Sequence, residues 1–129
     1  MSGRKSIIRP YKILNAVDVA TDQYSAATNI EKVDEISLVF DWAAGLAGNP
    51  AGTISIEVQN GDSAWQTFTY GHKAGVLPTT SLTLAVSGAS GSGYMVLKDC
   101  HFEKMRVFYD STSGSGTLTA TMVAKVLGA

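Results

Sequence analysis

Apolar and polar residues alternate along most of this chain, the period of a strand with one face against a core. In "ISLVFDW" the alternation sets Ile36, Leu38, Phe40 and Trp42 on one face and Ser37, Val39 and Asp41 on the other. In "TISIEVQ" it turns Ile54, Ile56 and Val58 inward and Ser55, Glu57 and Gln59 outward. Between them "AAGLAGNPAG" reads as a loop, because Gly, Asn and Pro supply turn geometry and interrupt ladders, so the two strands are expected to pair antiparallel. "NGDSAW" then gives an Asn60-Gly61 turn, and "AWQTFTY" a third consecutive strand with Trp65, Thr67 and Thr69 opposite Gln66, Phe68 and Tyr70.

Further strands are expected at 11–20, 26–30, 82–87, 94–98, 105–110 and 117–126. In "EKMRVFYD" both faces are largely apolar apart from Arg106, which suits a central strand. "GTLTATMVAKV" sets Leu118, Ala120, Met122 and Ala124 opposite Thr117, Thr119, Thr121 and Val123, and "STSGSG" is expected to join these last two strands as a hairpin. "NIEKVDEI" has the acidic and basic mix of a single helical turn. About eight short strands with turn signals between them predict an all-β antiparallel sandwich or barrel: one domain over 11–129, behind a flexible basic arm at 1–10.

Composition narrows the function more by exclusion. Ten basic against eleven acidic residues offer no field for nucleic acid, whose recognition needs clustered Lys and Arg. At 16% charged residues, against roughly 25% in an average globular protein, the surface is polar and neutral rather than ionic. Cys100 is the only cysteine, so no disulfide forms within the chain and no multi-thiolate zinc site exists. Pro10, Lys12, Asn15 and Asp18 interrupt the apolar stretch a signal peptide would need, and no run approaches the ~20 apolar residues of a membrane helix. Folding in the cytoplasm is the expectation.

Little of the chain looks like chemistry. The Ser113-Gly114-Ser115-Gly116 tract lacks the lysine and following helix of a phosphate loop, and "SGASGSG" is of the same kind. Cys100 and His101, as neighbours in extended chain, face opposite sides and cannot form a thiolate pair, so Cys100 reads as a buried structural residue. His72 and His101 have no metal-ligand spacing, and "QNGDSA" supplies too few oxygens for calcium. No catalytic, cofactor or metal residue is assigned. Trp65, Tyr70 and His72 are candidate ligand or partner contacts, since amphipathic rings favour recognition surfaces. Arg4, Lys5, Arg9 and Lys12 are candidate contacts of the arm with a neighbouring subunit or an acidic surface.

Two stretches, "GTISIEVQNGDSAWQTF" and "GYMVLKDCHFEKMRVFYDSTSGSGTLTATMVAK", resemble small β-sandwich proteins of bacteriophage virions. That family has a G-T-h-x-h-x-V-x-N strand, an aromatic after the turn, an aromatic-x-x-h-R-h-x-Y strand and an S-G-x-G-T-L hairpin. Here Phe102, Met105, Arg106, Val107 and Tyr109 match the late strand, and Ser113, Gly114, Gly116, Thr117 and Leu118 the hairpin. The segment "YGHKAGVLPTT" departs from the pattern. The resemblance implies a jelly-roll-like, non-enzymatic virion component: a capsid decoration, head-fibre or tail-associated protein. It also implies a homo-oligomer, with a trimer favoured, in contact with other virion proteins. Related sandwiches occur as carbohydrate-binding modules, which makes a host-surface glycan the alternative partner.

Overall fold

The computed structural model describes residues 5–7, 10–70, 80–98 and 100–127. Among these residues thirteen strands follow one another: β1 (Lys5–Ile7), β2 (Tyr11–Asp18), β3 (Gln23–Tyr24), β4 (Thr28–Asn29), β5 (Glu35–Ala44), β6 (Ala51–Gln59) and β7 (Gln66–Thr67), then β8 (Thr69–Tyr70), β9 (Thr80–Ser81), β10 (Thr83–Val86), β11 (Ser90–Lys98), β12 (Lys104–Ser113) and β13 (Gly116–Leu127). All pairings are antiparallel.

Several short strands share one neighbour end to end. Strands β1 and β2 both line β13, β3 and β4 both line β12, and β7 and β10 both line β6. Counting each such pair as one column gives eight columns in chain order. The first sheet then runs 1-8-3-6 (β1/β2, β13, β5, β11) and the second 2-7-4-5 (β3/β4, β12, β6, β7/β10), which is jelly-roll topology. Strands β8 and β9 form a separate two-stranded ribbon. Within the segment expected to be a flexible arm, Lys5–Ile7 pair with β13.

The inward faces are those the alternation predicts. Ile36, Leu38, Phe40 and Trp42 of β5 are buried, as are Ile54, Ile56 and Val58 of β6 and Met105, Val107 and Tyr109 of β12. Fully burying one such side chain stabilises the fold by about 1.5–3 kcal/mol, so this layer between the sheets supplies most of the driving force. Strand β12 is central in its sheet, flanked by β6 and by β3 and β4, in keeping with its two apolar faces.

The partners of the strands differ from expectation in two places. Strands β5 and β6 do not pair; they lie in opposite sheets. Strands β12 and β13 are likewise in opposite sheets, so the glycine-serine tract between them is a corner and not a hairpin. Alternation tells which face of a strand is buried, and a strand that crosses to the facing sheet about 10 Å away satisfies it as well as one that folds back. By contrast, the Asn60-Gly61 turn does return the chain along β6, pairing Glu57 with Thr67.

Gly114 and Gly116 turn the β12–β13 corner at φ of 78° and 143°, conformations that side chains with a Cβ rarely adopt. The corner is locked to the β5–β6 loop. The Gly45 N–H donates to the Ser115 carbonyl at 3.0 Å, the Ser115 N–H to the Gly48 carbonyl at 3.3 Å, and the Ala47 N–H to Ser115 Oγ at 2.9 Å. At the opposite end the segment expected to make a helical turn is a tight turn, closed by the Val33 N–H donating to the Ile30 carbonyl at 3.1 Å. Ile30 and Val33 are both buried there, and plugging the end of the core replaces the helical alternative. Ser25 stands in for a missing ladder rung between β3 and β4: its Oγ accepts the Val107 N–H at 2.8 Å.

Candidate functional site: the two outer sheet faces

With the inner faces committed to the core, recognition falls to the outer faces, where the other half of each alternating pattern is displayed. On the second sheet, Arg106 of β12 lies directly opposite Glu57 of β6, and its Nε donates to Glu57 Oε1 at 2.6 Å. The guanidinium carbon sits 4.3 Å from the ring centre of Tyr24 and 4.3 Å from that of Trp65. Tyr24, paired with Phe108 in the ladder, stacks on that ring at 4.6 Å with 20° between planes. One arginine thus ties β3, β6, β12 and the loop before β7 into a patch of two cation–π contacts and one charge-assisted hydrogen bond.

The first sheet presents a different face. Its ladder registers place outward residues of β11, β5 and β13 in rows: Ser92–Asp41–Thr119, Tyr94–Val39–Thr121, Val96–Ser37–Val123 and Lys98–Glu35–Lys125. Two central rows are uncharged, and Tyr94 and Val39 in them are 73% and 46% exposed, large for apolar side chains on a flat surface. On these three strands charge is confined to the two ends, and β2 adds the exposed Lys12 beside Thr121. Leu46, at the tip of the β5–β6 loop, is fully exposed.

At the end of the sandwich away from the locked corner, Glu31, Asn60, His101, Phe102 and Glu103 line an open depression of about 320 Å³. Its polar groups are largely engaged within the chain: Asn60 Oδ1 accepts the Glu103 N–H at 2.8 Å, and the Glu103 carboxylate lies 3.5 Å from Lys104 Nζ. Among the described residues no group of three or more His, Cys, Asp or Glu side chains could hold a metal ion. Cys100 is buried, and that burial pushes its thiol up to about 11, while the neighbouring His101 is exposed, as expected of adjacent residues in extended chain. A thiol so placed is a poor nucleophile. Among the described residues no helix is long and apolar enough to cross a membrane.

Of the candidate contacts read from sequence, Trp65 is half-buried against Arg106. Tyr70 pairs through its backbone with Thr80 in the small ribbon, and His72 lies outside the described residues. In the basic group, Lys12 is exposed on β2 opposite Thr121, Lys5 pairs through its backbone with Leu127, and Arg4 and Arg9 lie outside the described residues. Glu57, Arg106 and Tyr24 were not among the candidates. The sequence held only a partial signal for them: Arg106 shares the outer side of its strand with the aromatic Phe108, which suits a cation–π contact but names no partner.

No protein-family model matches the chain, and no curated protein matches it. Solved structures do. The SPBc2 prophage-derived protein YomS aligns over 95% of this chain and 97% of its own, with a TM-score of 0.59 and 9% identity. A chain of infectious bursal disease virus, Gx strain, aligns over 99% of this chain with a TM-score of 0.54 and 10% identity. The VP2 subviral particle of the same virus aligns over 98% with a TM-score of 0.50 and 11% identity. This chain spans about one third of those two viral chains, 33% and 34%. At such identities the likeness is one of fold: this chain has the antiparallel β-sandwich architecture also seen in a prophage-derived protein and in part of a virus-particle protein.

Proposed function

We propose that this chain is a non-enzymatic structural component of a bacteriophage virion, in the position of a capsid decoration, head-fibre or tail-associated protein, and that it acts through self-association and surface contacts. The observation that carries the reading is the outer face of the first sheet, where Tyr94, Val39, Val96 and Val123 make an uncharged band across three strands. A surface of that kind favours contact with another protein over solvation. The fold shared with a prophage-derived protein and with virus-particle chains agrees with it. Localisation in the virion after folding in the host cytoplasm, contact with other virion proteins and a closed homo-oligomer, a trimer by family habit, belong to the same proposal. Sedimentation velocity from micromolar to near-millimolar concentration tests it. A concentration-dependent oligomer is expected, and a monomer throughout overturns it.

One observation favours a second reading, a host-glycan-binding module. Tyr24 is 51% exposed, and it and Trp65 both lie against Arg106, which is bonded to Glu57: two aromatic rings within a polar patch. Glycan-array binding by a monomer, lost on Trp65→Ala, would establish it in place of the first.

A further inference from the structure

A strand at the edge of a sheet shows a row of unpaired N–H and C=O groups, and folded proteins blunt such edges with short strands, bulges, proline or charge. Among the described residues three of the four sandwich edges are blunted in this way. Strands β3 and β4 have two residues each, and β7 and β10 have two and four. The edge formed by β1 and β2 is broken around Pro10, carries the exposed Lys12 and shifts register twice against β13. Strand β11 is the exception. Its nine residues keep unbroken register with β5, contain no proline, and carry a charge only at Lys98, the last of them.

The ladder fixes where the free groups of β11 point. The Ala44 N–H donates to the Ala89 carbonyl at 2.6 Å, so these two form a hydrogen-bonded pair, and such pairs recur at every second residue of an antiparallel ladder. Gly91 and Gly93 therefore bond to Trp42 and Phe40 of β5, whereas Ser90, Ser92 and Tyr94 turn their N–H and C=O away from it. Among the described residues no hydrogen bond reaches these six backbone groups. The three residues are also exposed.

Resting on the self-association reading, we infer that β11 pairs edge to edge, antiparallel, with β11 of a second copy about a two-fold axis at Ser92. That register sets Ser92 against Ser92 and Ser90 against Tyr94, so the six free groups of each strand are taken by the same six of the other. A second copy is the occupant because this stretch is complementary to itself and the axis opposes no charge to a like charge. Lys98 lies six residues from the axis, so its two copies stand about 40 Å apart at ~3.4 Å per residue. The two Asp41 side chains, each beside its own Ser92, are three strand spacings of about 4.8 Å apart, about 14 Å in all and beyond the ~10 Å screening length at 0.1 M salt. Gly91 meets Gly93 of the other copy, so no Cβ crowds the inner side of the seam. The first sheets of the two copies thereby become one continuous sheet. A ribbon of residues 90–94 is small beside the ~800 Å² per partner of a standard interface, which places the dimer at the upper end of the concentration range. A two-fold contact builds a dimer, or a larger assembly made of dimers, in place of the trimer drawn from family habit.

Cross-linking and two variants test the edge. In Ser92→Cys the two thiols meet on the axis at a Cα separation of about 5.5 Å, inside the range a disulfide spans, while the native Cys100 is buried. Oxidation is expected to give a covalent dimer at least about tenfold faster than in Val39→Cys, at a 46% exposed position on the outer face of β5, because only the edge contact holds the Ser92 positions together. Ser92→Glu sets glutamate against glutamate, and Ser92→Pro removes an outward N–H that the ladder with β5 does not use. Each is expected to raise the dimer dissociation constant at least about tenfold in sedimentation velocity. Cross-linking at Val39 as fast as at Ser92, or unchanged affinity in both Ser92→Glu and Ser92→Pro, overturns the edge contact and leaves self-association standing. A wild-type monomer at every concentration overturns this inference together with the reading it rests on.

Discussion

Replacing Gly114 by alanine tests whether the β12–β13 corner is a steric lock. At φ of 78° an alanine carries the left-handed penalty of about 1–2 kcal/mol that any Cβ meets there. The new Cβ would also run into the carbonyl of Asn49, which is backbone and cannot rotate away. To relieve that contact the β5–β6 loop must leave the corner, giving up the bonds from Gly45 N–H to Ser115, from Ser115 N–H to Gly48 and from Ala47 N–H to Ser115 Oγ. At about 1 kcal/mol net for each, the loss adds about 3 kcal/mol, for a total of about 4–5 kcal/mol. Gly61 is the control: its φ of 55° is also left-handed, but a Cβ there has nothing within 4 Å, so Gly61→Ala should cost only the conformational 1–2 kcal/mol. Urea unfolding of both variants at one protein concentration measures the difference, because the midpoint shifts while the slope stays constant. If Gly114→Ala and Gly61→Ala agree within about 0.5 kcal/mol, the lock does not exist.

Ser25→Ala should destabilise the fold by about 1–3 kcal/mol in the same assay, since it strips the buried Val107 N–H of its acceptor, whereas Ser25→Thr, which keeps an oxygen, should cost less. A double-mutant cycle of Glu57→Gln and Arg106→Leu should give a coupling of about 1–2 kcal/mol that weakens with salt; a coupling near zero would mean that the rings alone hold Arg106. Alkaline stability should fall between pH 9 and about 11. The unfolded thiol of Cys100 loses its proton from pH 9 while the folded one keeps it to about 11, so the unfolded state gains, and by two units the loss is about 2–3 kcal/mol. Cys100→Ala should flatten that limb of a stability-against-pH curve. Above pH 10, Tyr109 adds to the decline for the same reason, its phenol being raised by burial and then by Asp110 and Asp22. Tyr109→Phe should remove that part and, by deleting a buried hydroxyl with no hydrogen-bond partner among the described residues, leave the neutral-pH protein at least as stable.

How much of this was legible beforehand differs between faces and partners. The inward set of β5, β6, β12 and β13 follows from period-2 alternation, because a one-residue slip would send Ile36, Leu38 and Phe40 into water. The burial of Cys100 and the exposure of His101 follow from the same parity. The role of Arg106 was out of reach. Glu57 is 49 residues away, and only the β6–β12 register sets it opposite.

Residue order alone determined that this chain is all-β, a sandwich or a barrel, since alternation and turn residues are local properties. Tertiary structure decided which strands meet. The tract "STSGSG" has the composition of a hairpin, yet it carries the chain from one sheet to the other, because Gly114 and Gly116 fit a corner that Asn49 and Ala43 leave open only to glycine. Pairing across sheets is set by burial shared among distant segments, and every alternating strand offers the same local pattern to all of them. For that reason the band of Tyr94, Val39, Val96 and Val123 on the first sheet's face, and the arginine clasp on the second's, exist only once β11, β5 and β13, or Tyr24, Glu57 and Trp65, have been brought together.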